Sequence, residues 1–476
     1  MQGLSLRANV SGEALLPDSP ELRSALSEAN TPTMLAAYVW LTHDQAMLEA
    51  FRPLIKPAFS WPPTEIPLGV GEKLAEAMLH ALTTPGVAKA DPPDSALMQK
   101  IMSVCVGEDV DAECLDMVYD QCGFSPWIDR SARPSRKQPP RGFKVLVIGA
   151  GLTGMAASMK LSEAGYDHIV IEKNADVGGT WFENRYPGVG VDTPSHFYSF
   201  SWEIWTNWTH YHPKGADMQR YLLEVADKYD IRRNVRFNTR VQSLVYDEET
   251  ALWTVTVQHS NGETEELTAN AVINGHGPVN RFKWPDIEGL KSFNGPVVHT
   301  ATWPEDLSLK GKRVAVIGTA ASAAQVVGAI AAETSALTVY QRTKHWVIHN
   351  PEIAHEVSEG MKWALAHIPS FKEWFRFRVY WANGDGLFSN VLRDPAWDGN
   401  DLAVSESNDG ARLWALGILQ EKFADRPDLI DKLTPDFPIF SKRIVLDNGW
   451  LDALKLPQTQ LHDRGIAKIV PEGVID

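Results

Sequence analysis

The chain has 476 residues, 44% of them hydrophobic and 22% charged, with a net charge of −15 at neutral pH. At about 150 residues per domain this length implies about three domains with ample core. The acidic balance argues against nucleic acid or an anionic membrane as the main partner, and the three cysteines, none in a Cys-x-x-Cys spacing, argue against a disulfide framework or a zinc site.

The first residues, MQGLSLRANVSGEALL, contain no sustained apolar core of a secretory signal, and no run of about 18 apolar residues offers a membrane span, so the cytoplasm is the expected compartment. From Ser19 to Gly123 the pattern is helical. Ser19-Pro20-Glu21 combines a capping side chain, a proline in the first turn and an acid at the positive end of the helix dipole. Further helices are expected over Glu72–Leu82, Ser95–Val104 and Ala112–Tyr119. No catalytic constellation stands out here, and docking or homodimerisation is the expected role of a helical domain over residues 1–129. Cys105, Cys114 and Cys122 read as buried or half-buried thiols. RSARPSRKQPPRGF, within a linker at 130–143, is basic, proline-rich and without apolar periodicity.

KVLVIGAGLTGMAASMKLSEAGYDHIVIEK then holds every part of a dinucleotide-binding unit. Val145–Ile148 suits a buried parallel strand. Gly149, Gly151 and Gly154 permit the tight turn, close approach of a pyrophosphate and close helix–strand packing. A helix follows, then a strand over Ile169–Ile171 and the acid Glu172, about 20 residues on, where ribose hydroxyls are bound. GGTWFENRYPGVGVD, dense in Gly, Pro and aromatics, predicts an irregular loop beside the cofactor. Within it Asp192 reads either as a turn residue or as a functional acid. Residues 235–272 alternate polar and apolar around the Ser260-Asn261-Gly262 turn, predicting an antiparallel meander.

The second unit, KRVAVIGTAASAAQVVGAIAAETSALTVYQRTKHW, repeats strand, turn, helix and strand. Its glycine pattern is weaker: Ala320 and Ala323 stand where glycines are expected, which is unfavourable wherever φ must be positive. After its second strand comes Arg342 in place of the acid. It reads either as a surface arginine or as a partner for a 2′-phosphate, hence NADP. The region from Pro351 onward is rich in tryptophan (Trp363, Trp374, Trp381, Trp397, Trp414), with core packing the default reading and a pocket lining the sharper one. The fold class expected is α/β, with two Rossmann-like units behind a helical domain, bounded as 144–277 for the first and 278–476 for the second with a helical insertion.

Between the two units lies FNGPVVHTATWP, which meets the pattern FxGxxxHxxxWP through Phe293, Gly295, His299, Trp303 and Pro304. On these residues the sequence resembles the type I Baeyer–Villiger monooxygenases. Among them it is similar to the 4-hydroxyacetophenone monooxygenase group, which has an extra N-terminal helical region. The resemblance covers Lys144 to the C-terminus well and the N-terminal region more loosely.

The resemblance implies FAD on Gly149, Gly151, Gly154 and Glu172, with Gly179, Thr180, Trp181, Arg185 and Tyr186 on the isoalloxazine side. It implies NADPH on Gly318, Thr319 and Ser322, with Arg342 at the 2′-phosphate and Lys442 nearby. Arg443 corresponds to the active-site arginine and Asp192 to its partner acid, while His299 acts in linking the domains. The implied reaction inserts one oxygen atom of O2 beside a ketone carbonyl to give an ester, aryl ketones being favoured. A fixed, always charged guanidinium suits that chemistry, because it stabilises the anionic oxygen of a tetrahedral adduct. No metal is implied. The family also continues into a C-terminal part that returns to the FAD domain, so a truncated chain is expected here. The alternatives are a flavin N- or S-oxygenase, or an inactive homologue acting as a binding or dimerisation module.

Overall fold

The structure, a computed structural model, describes residues 14–57, 66–89, 91–124 and 138–476. Most of the stretch read as a linker therefore lies outside the described residues.

Six helices come first: α1 (Pro20–Glu28), α2 (Thr31–Thr42), α3 (Gln45–Phe51), α4 (Leu68–Thr83), α5 (Ser95–Val106) and α6 (Leu115–Gln121). Their ends follow local chemistry. Ser19 Oγ accepts from the Leu22 N–H at 3.2 Å, and Asp94 Oδ1 from Leu97 N–H at 2.8 Å. Gly107, at φ 77°, ends α5 in the left-handed conformation that glycine tolerates. α2 is apolar on all sides and accordingly buried from Pro32 to Leu41. Cys105 and Cys122 are buried, and Cys114 is half-buried.

The first nucleotide unit opens with β1 (Lys144–Ile148), α7 (Leu152–Glu163) and β2 (Asp167–Ile171), followed by the short α8 (Thr180–Glu183) and by α9 (Gly215–Lys228). β3 (Val235–Arg236) and β7 (Ala271–Asn274) flank an antiparallel meander of β4 (Thr239–Asp247), β5 (Leu252–His259) and β6 (Thr264–Ala269). The expected antiparallel meander is thus present, with its bounds narrowed to β4–β6. β3 and β7 join a parallel sheet in the order β3-β2-β1-β7, with Val147 opposite both Val170 and Ile273. Alternation reveals a half-buried strand but not its partner, which is why the two short flanking strands were not separable by pattern. The turn at Ser260-Asn261-Gly262 does join β5 to β6, with Gly262 at φ 88°.

β8 (Arg313–Ile317), α10 (Ala321–Ile330) and β9 (Ala336–Tyr340) form the second unit. Next come β10 (Val347–Ile348), α11 (Glu359–His367), α12 (Phe371–Asn383), α13 (Glu406–Lys422), α14 (Pro427–Leu433) and β11 (Val445–Leu446), with β10 and β11 paired in parallel. The chain ends with α15 (Trp450–Lys455), β12 (Thr459–His462), which completes the parallel sheet β12-β9-β8, and the hairpin of β13 (Lys468–Val470) and β14 (Gly473–Ile475). The fold is α/β with two Rossmann-like units and a helical N-terminal region.

Packing divides the chain into two compact units, each built from segments distant in sequence. One contains Met1–Ala132, Val191–Pro213 and Lys344–Asn448; the other contains Arg133–Gly190, Lys214–Thr343 and Gly449–Asp476. The second holds both nucleotide signals. In the first, Trp374 is fully buried against Phe124, at 4.8 Å between ring centroids, whereas Trp414 is 40% exposed. Among the described residues no helix is long and apolar enough to cross a membrane, and no cluster of His, Cys, Asp and Glu is placed to hold a metal.

Candidate functional site

The first glycine loop leaves β1 at Gly149, whose φ of 90° excludes most side chains. Its N–H donates to Ile171 O at 2.8 Å. α7 then starts at Gly151. A Cβ on Gly154 would lie 1.7 Å from Gly149 O, so only glycine lets the helix sit this close to the strand. A second glycine pair backs the first: Gly178 N–H donates to Ala150 O at 3.0 Å, and a Cβ on Gly179 would lie 2.9 Å from Gly151 Cα. Bare backbone and a helix N-terminus with no capping side chain thus face the same loop. That arrangement fits the pyrophosphate of a dinucleotide.

Glu172 directly follows β2 with 3% exposure, and both carboxylate oxygens accept backbone N–H groups, from Ala150 at 2.6 Å and Asn174 at 2.8 Å. The acid therefore holds the glycine loop. Only lone pairs beyond these two bonds remain for hydroxyls.

Thr180 and Trp181 open α8, Thr180 exposed and Trp181 half-buried. The exposed Arg185 pairs with Glu305, immediately after the fingerprint, and its guanidinium lies 5.3 Å from the Phe182 ring centroid. Tyr186 is buried, its hydroxyl 2.8 Å from Gln325 Oε1 and 3.2 Å from Ser322 Oγ, both on α10. Gln325 Nε2 in turn donates to Gly190 O at 3.0 Å, and a Cβ on Gly188 would come within 2.5 Å of Gln325 O. Tyr186 and Ser322, read as belonging to two separate cofactor sites, hence bond directly, and both Tyr186 and the Gly190 carbonyl are held by Gln325. Sequence reasoning passed it over, although a glutamine inside the apolar run ASAAQVVGAI is itself a signal of a buried polar role.

In the second loop Gly318 has φ 107° and is the position that requires glycine. Ala320 caps α10 at φ −78°, ψ −177°, nearly the backbone of Gly151 at φ −78°, ψ −169°. The concern that alanine is strained there is corrected, since this backbone lies in the extended region open to any residue. Thr319 is buried and its hydroxyl donates to Thr343 O at 3.2 Å. Arg342 is exposed after β9, without a side-chain hydrogen bond or ion pair among the described residues.

In the fingerprint, Phe293 folds over Gly295, where a Cβ would meet the ring at 2.6 Å. His299 caps the turn Thr300–Thr302, its Nδ1 accepting from the Ala301 N–H at 3.1 Å. An Nδ1 that accepts leaves the neutral ring's proton on Nε2, and partial burial holds the pKa below the usual histidine range. The ring stacks on Phe282 at 4.6 Å and meets Trp284 edge-on at 5.6 Å. Trp303 is half-buried and Pro304 exposed.

In the other compact unit, Arg443 and Asp192 form one ion pair. Nη2 lies 2.7 Å from Oδ1 and 2.6 Å from Oδ2, with Nε 3.1 Å from Oδ2. The arginine side chain is 76% exposed and the aspartate 22%. Hydrogen bonding to Asp192, then its charge, raises the arginine pKa further, so the guanidinium stays charged. Nη1 is left with two N–H donors undirected among the described residues. Beside the pair, Lys442 Nζ lies 4.2 Å from the Phe437 ring centroid.

Residues 146–372 match the pyridine nucleotide-disulphide oxidoreductase family. An uncharacterized monooxygenase of Sinorhizobium fredii is 34% identical over 94% of this chain and 68% of its own length. A Baeyer–Villiger monooxygenase of Pseudomonas aeruginosa is 34% identical over 73% of this chain, which spans 63% of that relative. Among solved structures, OTEMO in complex with FAD and NADP superposes with a TM-score of 0.59 at 29% identity, covering 71% of this chain and 69% of the other.

Proposed function

This chain belongs to the Baeyer–Villiger monooxygenase family, and from that premise we propose that it is an FAD- and NADPH-dependent enzyme converting a ketone to an ester with O2. The observation that carries the reading is the Arg443–Asp192 pair, a charged fork anchored on one side and undirected on the other.

FAD would be held by the backbone around Gly149, Gly151, Gly154 and Gly179, with Glu172, Thr180, Trp181, Arg185 and Tyr186 around it. NADPH would be held by Gly318, Thr319 and Ser322, with Arg342 supplying a cation for its 2′-phosphate. When bound, the two cofactors supply hydride transfer and the activation of O2. Arg443 would direct its Nη1 donors at the negative oxygen that develops on the substrate, where preorganised charge is most effective. Asp192 fixes the guanidinium plane and balances its charge. His299 and the rest of the fingerprint, Phe293, Gly295, Trp303 and Pro304, would hold the connection between the nucleotide sites. In domain terms the proposal keeps an FAD-binding part at 144–277 and an NADP-binding part at 278–476.

Finer proposals are an aryl ketone such as 4-hydroxyacetophenone as substrate, cytoplasmic residence and a homodimer. The test is a visible spectrum of the purified chain with added FAD, before and after anaerobic NADPH, followed by aerobic ketone turnover. A flavin spectrum that bleaches, with ester formed afterwards, supports the proposal. A protein that takes up FAD and is reduced but oxygenates only amines or sulfides overturns it.

A further inference from the structure

Arg376, on α12, is 2% exposed and spends four N–H donors on main chain and one hydroxyl. Nε donates to Gln121 O at 2.5 Å, the last residue of α6. Nη1 donates to His196 O and to Ser199 Oγ, both at 2.9 Å, and Nη2 to Ser199 O at 3.0 Å. The guanidinium also lies 5.3 Å from the Phe197 ring centroid. One buried cation thus fastens the segment just after Asp192 to α12 and to the end of the N-terminal helices.

Neighbouring contacts reinforce the junction. Gly123 has φ 86°, and a Cβ there would lie 2.9 Å from both Ser201 O and Ile204 Cδ1, so its bare backbone lies close against this segment. Phe124 is fully buried between Trp40 and Trp374. α12 reaches the N-terminal helices twice more: Arg378 Nη1 donates to Asn30 Oδ1 at 2.7 Å, and Trp381 Nε1 to Glu108 Oε1 at 2.5 Å.

We propose that Arg376 is a positioning residue for Asp192, and that the N-terminal helical region serves as the scaffold of the Asp192-bearing segment. The inference rests on the reading of Asp192 and Arg443 given above. A planar guanidinium is required because its donors diverge to two separate stretches of chain, Gln121 and the segment from His196 to Ser199, which an ammonium on a lysine stem cannot reach together. An anchor of this kind sets the angle at which Asp192 meets Arg443, and small displacements of a catalytic fork are costly.

The experiment uses the full chain loaded with FAD, with Arg376→Lys and the milder Ser199→Ala. Amide hydrogen exchange is followed over 191–204, with α4 and α14 of the same compact unit as controls, alongside NADPH-driven flavin reduction and product formed per NADPH. For Arg376→Lys the expected result is exchange over 191–204 faster by about 10-fold with the controls unchanged. Flavin reduction stays within about twofold while product per NADPH falls by about 10-fold, the loss expected of a displaced catalytic group. Ser199→Ala moves the same readouts less, and decides the question if the lysine variant does not fold. Unchanged exchange over 191–204, acceleration spread equally over the controls, or undiminished product per NADPH each overturns the inference. Arg443→Ala run in parallel separates the two readings. If it abolishes product while the anchor variants leave product intact, only the positioning role fails. If it leaves product intact, the catalytic reading fails.

Discussion

Arg443 grips Asp192 through Nη2, at 2.7 and 2.6 Å from the two carboxylate oxygens, although the residues are 251 positions apart. The carboxylate is mostly sheltered and the guanidinium mostly exposed. Such a pair adds little to stability, because an exposed ion pair contributes at most about 1 kcal/mol. Its value is orientation. Replacing Arg443 by alanine is therefore expected to leave folding and flavin reduction nearly unchanged and to lower ester formation by about 100-fold or more, the typical cost of one lost oxyanion donor. Arg443→Lys should recover little, since lysine keeps the charge but not the fork. Stopped-flow reduction and product analysis on the same samples check both parts.

Arg342 stands exposed beyond β9 with no partner among the described residues. If it reads the 2′-phosphate, Arg342→Ala raises the Michaelis constant for NADPH by about 10-fold or more and that for NADH hardly at all, a charge-assisted contact being lost only with the former. Steady-state kinetics with both nucleotides decides it. Equal effects would remove Arg342 from the site.

The two glycine loops predict opposite responses to the same methyl group. Gly154→Ala places a carbon 1.7 Å from Gly149 O and should cost at least about 3 kcal/mol, with loss of FAD retention. Ala320→Gly touches a cap already in extended conformation, and should change stability by no more than about 1 kcal/mol, in the favourable direction if at all. Thermal unfolding with and without FAD tests the contrast.

His196 is 1% exposed, with neither ring nitrogen hydrogen-bonded among the described residues. Burial, assisted by the charge of Arg376, pushes its pKa down to about 3. In the unfolded chain it titrates near the ordinary value of about 6.5. Above that pH neither state binds the proton and stability is intact. As pH falls from about 6.5 towards 3, only the unfolded state takes it up, and stability is lost by up to about 1.4 kcal/mol per pH unit. Denaturant midpoints at pH 7 and 4.5 should differ less in His196→Asn than in the parent chain, and an equal difference would refute the assignment.

Much of this architecture was legible because it is local. A Ser immediately ahead of a helix, a glycine where φ must be positive and a β-branched run between turns act on neighbours a few residues away. So the capped start of α1, both glycine loops, the hairpin at Gly262 and the fingerprint between the two units could all be read from the chain. Its length, composition and spacing were enough to determine an α/β protein with two nucleotide-binding units.

Tertiary structure alone decided what distant side chains do. Asp192 was equally a turn residue until Arg443 stood beside it. Glu172 had an expected place at the end of β2, but not its bonds to Ala150 and Asn174. Gln325 and Arg376 carried no motif, and each became an anchor only when the fold brought its partners within reach, the Tyr186 hydroxyl and Gly190 O for Gln325 and three backbone carbonyls for Arg376. A helix or turn is encoded by interactions over three or four residues, whereas a buried guanidinium finds its acceptors only after hydrophobic packing has fixed which segments are neighbours.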